Sequence, residues 1–358
     1  MSTTVTAPAN IYSSGSLSKS AVWAILAVSL LISGVAFWLI QLGADAEDYN
    51  IVGALVVGAI LYGVAIYVIS RLVEGSRKAK DRLITALVST AFLVALLPLI
   101  SLLFTVLVNG LARFDVEFFT YSMRNVVGAG GGAVHAIVGT VLMTLTATLI
   151  SVPIGLLTSI YLVEYGRGTL ARAITFFVDV MTGIPSIVAG LFAYSVFAII
   201  LGPGARLGII GAVALSVLMI PVVVRSSEDM LRLVPNELRE ASYALGVPKW
   251  LTIVKIVLPT SIAGITTGVM LAISRVIGET APLLVAAGFT NNLNYNLLEG
   301  RMQSLPVMVY NQYVSQGTDA QAYLDRAWAG ALTLILIVMA LNLLARLIAR
   351  YFAPKTGR

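Results

Sequence analysis

The chain has 358 residues, of which 58% are hydrophobic and only 11% charged, and its mean hydropathy is +0.94. A water-soluble domain carries about a quarter charged residues, so the composition excludes a soluble globular fold and describes an integral membrane protein. The formal net charge is +6 and cysteine is absent, which excludes disulfides and cysteine-ligated metal or iron–sulfur sites.

Residues 1–20 are polar and rich in Ser and Thr, and are expected to form a disordered tail. Eight apolar stretches follow, at about 21–42, 51–70, 84–109, 136–163, 173–201, 208–224, 260–288 and 328–349. Each is long enough to cross ~30 Å of hydrocarbon as a helix, the sixth only just. None alternates as a membrane-spanning strand would, so the predicted fold is all-α with eight spans. Ala44-Asp45-Ala46 resembles a signal-peptidase site. The apolar run before it exceeds the roughly 7–15 residues of a signal sequence, so a retained first span is expected.

Lys and Arg set the orientation. With both termini inside, the outer loops hold only Arg113, Arg124, Arg206, Arg301 and Arg326, against seventeen basic residues inside. Both termini are therefore expected in the cytoplasm. The positive charge follows from this topology and needs no nucleic-acid partner. His135 is the single histidine and cannot make a metal site alone; it reads as an interfacial helix-start residue.

The basic loop Arg71–Arg82 divides an accessory hairpin at 21–82 from a six-span core at 83–358. No loop can hold a soluble domain; the longest, 289–327, is expected to carry a short surface helix around Leu305–Gln316. A nucleotide-binding P-loop is missing. The run Gly128–Gly132 has no following Lys and lies on the outer side. It reads either as a flexible lead-in to the fourth span or as exposed helix-start amides that meet an anion or a docking protein.

The second half is interrupted by a polar insert between Arg225 and Pro259. Pro235-Asn236-Glu237 is a helix start. Leu238, Ala241, Ala244 and Leu245 supply an apolar face, Gly246 ends the helix and Pro248 prevents its continuation. Trp250, Ile253, Val254 and Val257 form a second stripe leading to the seventh span. An amphipathic helix lying on lipid headgroups would look similar.

Three charges fall inside spans, where each costs about 2.5–3.5 kcal/mol. Arg275 and Glu279 are four apart and are expected to share a helix face. The guanidinium suits an oxyanion in a water-lined path, with Glu279 moderating its attraction; the alternative is a self-neutralised packing pair. Asp179 precedes Gly183-Ile184-Pro185-Ser186 and either satisfies amides freed there or pairs with an arginine of a neighbouring helix. As part of a substrate path it would repel an anion. Gly183 with Pro185, and Pro153, Pro221 and Pro282, are expected to mark kinks suited to gating.

The spacing Glu240-Ala241-Ser242, Gly246, Ile256, Leu258-Pro259 resembles the EAA motif of ABC-importer permeases, E-A-A-x3-G-x9-I-x-L-P, with Ser242 as the one departure. Gly183–Gly190, Gly278–Leu284, Leu305-Pro306-Val307 and Arg326-Ala327-Trp328 are similar to segments of phosphate-importer permeases, over about 83–358. Ala281-Pro282-Leu283-Leu284 favours one of the two permeases of that system. The resemblance implies a type I ABC-importer helical bundle in a prokaryotic cell membrane. It implies a coupling helix docking through Glu240, Ala241 and Gly246, a second permease, and two ATPase chains that bind ATP and magnesium. It also implies an extracytoplasmic phosphate-binding protein, while the chain itself is non-catalytic and holds no cofactor. A permease for another oxyanion such as sulfate or molybdate, or the partner phosphate permease, is the nearest alternative. An ion-coupled secondary transporter would show two matching halves, and none is seen.

Overall fold

The computed structural model describes residues 16–44 and 50–352. Residues 1–15, Asp45 and Ala46, and the basic residues Lys355 and Arg358 lie outside the described part. Among the described residues the structure is all-α, and the chain divides into two compact units, the second beginning at Phe104. That boundary falls within a helix, twenty or so residues beyond the division expected at the basic loop.

The first unit contains α1 (Lys19–Ala44), α2 (Ile51–Val73) and most of α3 (Ser76–Gly110). Asn50 caps α2 by accepting from the Gly53 amide at 2.8 Å. Buried Ser33 on α1 donates to the Ala54 carbonyl of α2 at 2.6 Å, a polar link between helices where both partners would otherwise face hydrocarbon. Trp23, Leu31 and Phe92 are exposed, as lipid-facing side chains must be. The expected basic loop is almost entirely helical, because Arg, Lys and Ala are good helix formers and their polarity does not end a helix. Only Glu74 and Gly75 interrupt it.

Glu74 is the latch of this unit. It takes a two-pronged hydrogen bond from Arg82 and accepts from Ser70 Oγ at 2.7 Å and the Leu17 amide at 2.8 Å. The Arg82 guanidinium holds the carboxyl at about 2, below its ordinary 4.5, helped by Ser70 and Leu17 and opposed by desolvation. A depressed carboxyl stabilises the fold above its ordinary range, so this contribution is complete above pH 4.5 and is lost as pH falls toward 2.

In the second unit, a 3₁₀ turn (Leu111–Arg113) and α4 (Val116–Thr120) precede α5 (Val134–Ile160), which runs on into a π turn at Tyr161–Tyr165. Next come α6 (Gly168–Thr182), α7 (Ser186–Leu201), α8 (Gly208–Arg232) and α9 (Asn236–Ala244). Then α10 (Lys249–Thr252) passes through a second π turn, Ile253–Val257, into α11 (Leu258–Val276). The unit closes with α12 (Ala281–Ala286), α13 (Leu305–Val314) and α14 (Ala320–Phe352).

The axis is α8, packed by α5, α6, α7, α11 and α12. Expected to be barely long enough, it extends to Arg232 and is the most buried spanning helix. Small residues allow this. Gly208, Gly211, Ala212, Ala214 and Ser216 are buried on α8, and against α5 Gly211 meets Met143, Ser216 meets Ala147 and Ser151, and Gly155 meets Val223. Met143, Leu215, Met219, Val223, Ala272, Leu283 and Val307 complete the main core.

Among the described residues, seven helices are long and apolar enough to span, and an eighth crossing arises only if α6 and α7, bent by 111°, count as one. The fifth stretch is thus broken rather than kinked, and the seventh ends at Val276 with α12 as a separate piece. Pro185 and Pro282 stand at the starts of new helices, whereas α5 and α8 continue through Pro153 and Pro221. The surface helix expected at Leu305–Gln316 is α13, with Leu305, Val307 and Met308 buried.

The glycine run is tied down through its carbonyls rather than left as a flexible lead-in, and of its amides Gly131 has a side-chain partner. Buried Arg326 donates to the carbonyls of Gly128 at 2.7 Å and Gly130 at 2.9 Å, and Arg113 donates to Gly131 at 2.9 Å. Glu117 accepts from the Gly131 amide at 3.0 Å. His135 starts α5 as expected but is buried, with Nε2 at 3.1 Å from Gln303 Oε1.

Glu74→Gln removes the charge from the latch. The Leu17 amide should then exchange with deuterium at least about tenfold faster at neutral pH, read by hydrogen-exchange mass spectrometry, as the loss of a charge-assisted bond requires. Unchanged protection would show that α1 and α2 hold the segment without it.

Candidate functional site

The polar insert forms the helix its residues predict. Gly246 adopts φ +75°, its amide bonds the Tyr243 carbonyl at 2.9 Å, and the Val247 amide bonds Ser242 at 3.2 Å. These paired bonds close α9 in a Schellman motif that only glycine enters without strain. Pro248 then redirects the chain into α10.

One face of α9 is fastened to the bundle. Arg239 donates to Glu164 Oε1 at 3.0 Å and to the carbonyls of Val234 at 2.6 Å and Leu231 at 3.0 Å. Lys249 donates to the Glu164 carbonyl and lies 4.7 Å over the Tyr165 ring. Ser242 is buried, and its hydroxyl meets that of Thr252 at 2.8 Å, so the departure from the EAA pattern adds a bond between α9 and α10. The other face is open: Leu238, Glu240, Ala241, Tyr243 and Leu245 are exposed, Leu245 at 83%. Ile256 is half-buried in the second π turn, and Leu258 and Pro259 begin α11. The sequence reading missed Glu164, Arg239 and Lys249. The available signal was a lone acid at the end of the fourth span facing two bases of the insert.

A second arrangement lies at the broken helices. At the α6–α7 break, Pro185 forbids continuation while the amides of Gly183 and Ile184 reach Val180 at 3.0 Å and Met181 at 3.3 Å. Asp179 takes a hydrogen bond from Arg225, the neighbouring-helix arginine that was one of its two expected partners. Arg225 also bonds Glu228 at 2.8 Å, and Glu228 accepts from Arg232 at 2.7 Å. Two acids and two bases thus neutralise one another along α6 and α8. Arg225, counted with the inner loop in sequence, lies inside α8.

Arg275 and Glu279 do not share a helix face. Arg275 occupies the last turn of α11 and is exposed; Glu279 is half-buried in the break that follows. The helix ends at Val276 and turns at Ile277 and Gly278. Among the described residues no ion pair joins them, so the self-neutralised pair does not form. The two broken segments meet each other. A Cβ at Gly190 of α7 would stand 2.6 Å from Pro282 Cα, so only glycine permits α7 and α12 to touch.

A family model described as a binding-protein-dependent transport system inner membrane component matches residues 151–358. The phosphate transport system permease protein PstA 1 of Mycobacterium tuberculosis strain H37Rv is 46% identical over 285 residues, 79% of this chain and 91% of that protein. PstA of Yersinia pestis is 40% identical over 78% of this chain and 92% of its own. An inward-facing structure of the MetNI methionine ABC transporter has 19% identity and a TM-score of 0.52, covering 62% of this chain and 96% of that chain, and supports the fold alone.

Arg239→Met leaves Glu164, whose side chain is 5% exposed, without its partner. Breaking a buried pair on one side costs about 3–5 kcal/mol, whereas replacing both ends costs less. The melting temperature of Arg239→Met should therefore fall more than that of Arg239→Met with Glu164→Leu.

Proposed function

The chain belongs to the binding-protein-dependent transport permeases, among those of the PstA type, and we propose that it forms half of the translocation path of an ATP-driven phosphate importer. The observation that carries this reading is α9, a short helix fastened on one face and open on the other. The substrate follows from the curated relatives, whose names specify phosphate transport. ATP and magnesium belong to two ATPase chains beneath it, an extracytoplasmic phosphate-binding protein delivers the substrate, and the chain performs no catalysis of its own.

Glu240, Ala241 and Gly246 would seat in the ATPase. Movement there passes through the Arg239–Glu164 bond to the end of α5, and through α10 and the π turn to α11. Helix and turn are continuous from Lys249 to Val276, so displacement of α9 reaches the break that carries Arg275 and Glu279. There the Arg275 guanidinium can hold an oxyanion through forked hydrogen bonds, and Glu279, past the turn, supplies an opposing charge.

Arg275 also supports a second permease. An exposed arginine in an apolar segment is costly against lipid, and a partner permease with a water-filled path between the two removes that cost. The Lys and Arg distribution supports cytoplasmic termini and, with them, a cytoplasmic α9.

Gly246→Pro or Glu240→Lys should abolish phosphate uptake while leaving membrane insertion intact, measured by uptake in cells lacking the native permease. Wild-type uptake in either would remove the lever role. Arg275→Gln should reduce uptake about tenfold or more, the loss of one forked contact; an unchanged rate would assign Arg275 to packing. Because the chain has no cysteine, single cysteines report sidedness directly. A cysteine at Ala241 should react with an impermeant maleimide only after permeabilisation, and one at Asn292 without it.

A further inference from the structure

Arg206 and Arg301 are far apart in sequence yet flank one point in the fold. Arg206 lies in the turn before α8 and Arg301 in the loop after α12. One backbone bond stitches these segments together, the Ile209 amide to the Leu297 carbonyl at 2.8 Å, and a second, the Met302 amide to Ala287 at 3.3 Å, folds the Arg301 loop back onto the end of α12. Gly288 ends α12 with φ +72°, and a Cβ built there would stand 3.1 Å from Arg206 Cδ and 3.4 Å from Arg301 Cδ. The two stems therefore bracket the same glycine.

Neither guanidinium has an ion-pair or hydrogen-bond partner among the described residues, unlike Arg82, Arg113, Arg225, Arg232 and Arg239, which all bond carboxylates. The only acid in the loop after α12, Glu299, accepts from Asn296 Nδ2 at 3.3 Å. Arg301 is exposed and Arg206 half-exposed. Two adjacent cations repel unless an anion lies between them, and two guanidinium forks match the oxygens of a tetrahedral oxyanion.

We propose that Arg206 and Arg301 form a receiving site for inorganic phosphate at the outer mouth of the permease, before Arg275. The site rests on the importer function above. It lies at the opposite end of α8 from α9, the end a substrate meets first on its way inward. It joins two segments that flank the broken helices: Gly288 closes α12, and Arg206 connects α7 to α8.

The test uses the assembled importer in proteoliposomes with its binding protein and inorganic phosphate. Arg206→Gln with Arg301→Gln should lower the maximal uptake rate about tenfold, with the half-saturating concentration of binding protein unchanged. Each single change should lose less, and replacing both by Lys should restore part of the rate, because charge is kept without the fork. An unchanged rate in the double variant overturns the site. So does a loss that rises back to wild type as binding protein is added, because the pair would then be gripping a carboxylate of that protein. Should the double variant not assemble, Arg301→Gln alone decides, and a wild-type rate in it overturns the proposal. A wild-type importer inert toward phosphate overturns the importer reading along with it; an active one with indifferent variants overturns the arginine site only.

Discussion

Backbone amides inside hydrocarbon have no water to turn to, so every break in a spanning helix must be satisfied by protein. This constraint shapes the second unit. Two of its apolar stretches are broken, after Thr182 and after Val276, and both breaks are built against other protein rather than left to lipid. The touching of α7 and α12 at Gly190 and Pro282 is how they cover one another. The helix that supports both, α8, is the most buried spanning helix, and its small residues let its neighbours close around it. A break is thus possible here only because the axis is solid.

The amphipathic insert at the other end of α8 obeys the opposite rule. A helix of nine residues is marginal alone in water, so α9 holds its shape through tertiary bonds. Arg239 reaches a carboxylate and two carbonyls, Ser242 reaches Thr252, and Lys249 reaches the Glu164 carbonyl. All of these lie on the bundle side, so rigidity toward the membrane coexists with an unpartnered outer surface. Both π turns, Tyr161–Tyr165 and Ile253–Val257, adjoin this attachment. Wide turns of this kind recur at functional sites because they re-aim a helix without ending it.

Much of this was legible in sequence because hydrocarbon is a strict solvent. Composition and run length are enough to establish an all-helical membrane protein, and the fixed spacing from Glu240 to Pro259 locates α9 and its glycine stop. What escaped depends on pairing at a distance. Glu164 and Arg239 are 75 residues apart, and nothing local joins them. The Arg275–Glu279 reading failed because spacing by four implies one face only if the helix continues, and the turn at Ile277-Gly278 ends it. The basic segment 71–82 misled in the other direction: charge was read as loop where helix propensity prevailed. The glycine run was read locally, while its conformation is imposed by Arg326, almost two hundred residues away.

The arginines show how charge is divided between holding the fold and meeting a substrate. Arg82, Arg113, Arg225 and Arg239 each bond a carboxylate, and Arg326 is spent on the carbonyls of the glycine run and on Gln312. The charge of the first four is compensated by those carboxylates, whereas Arg326 is held by neutral acceptors. Arg275, Arg206 and Arg301 have no such carboxylate among the described residues, and all three lie in or beside the broken segments rather than in the continuous helices of the core. Arg77, Arg124 and Arg167 also lack a carboxylate among the described residues, but only Arg206 and Arg301 are brought together, on either side of Gly288. An arginine without a carboxylate keeps its guanidinium fork free for paired hydrogen bonds to an oxyanion, where a lysine would offer only a point charge.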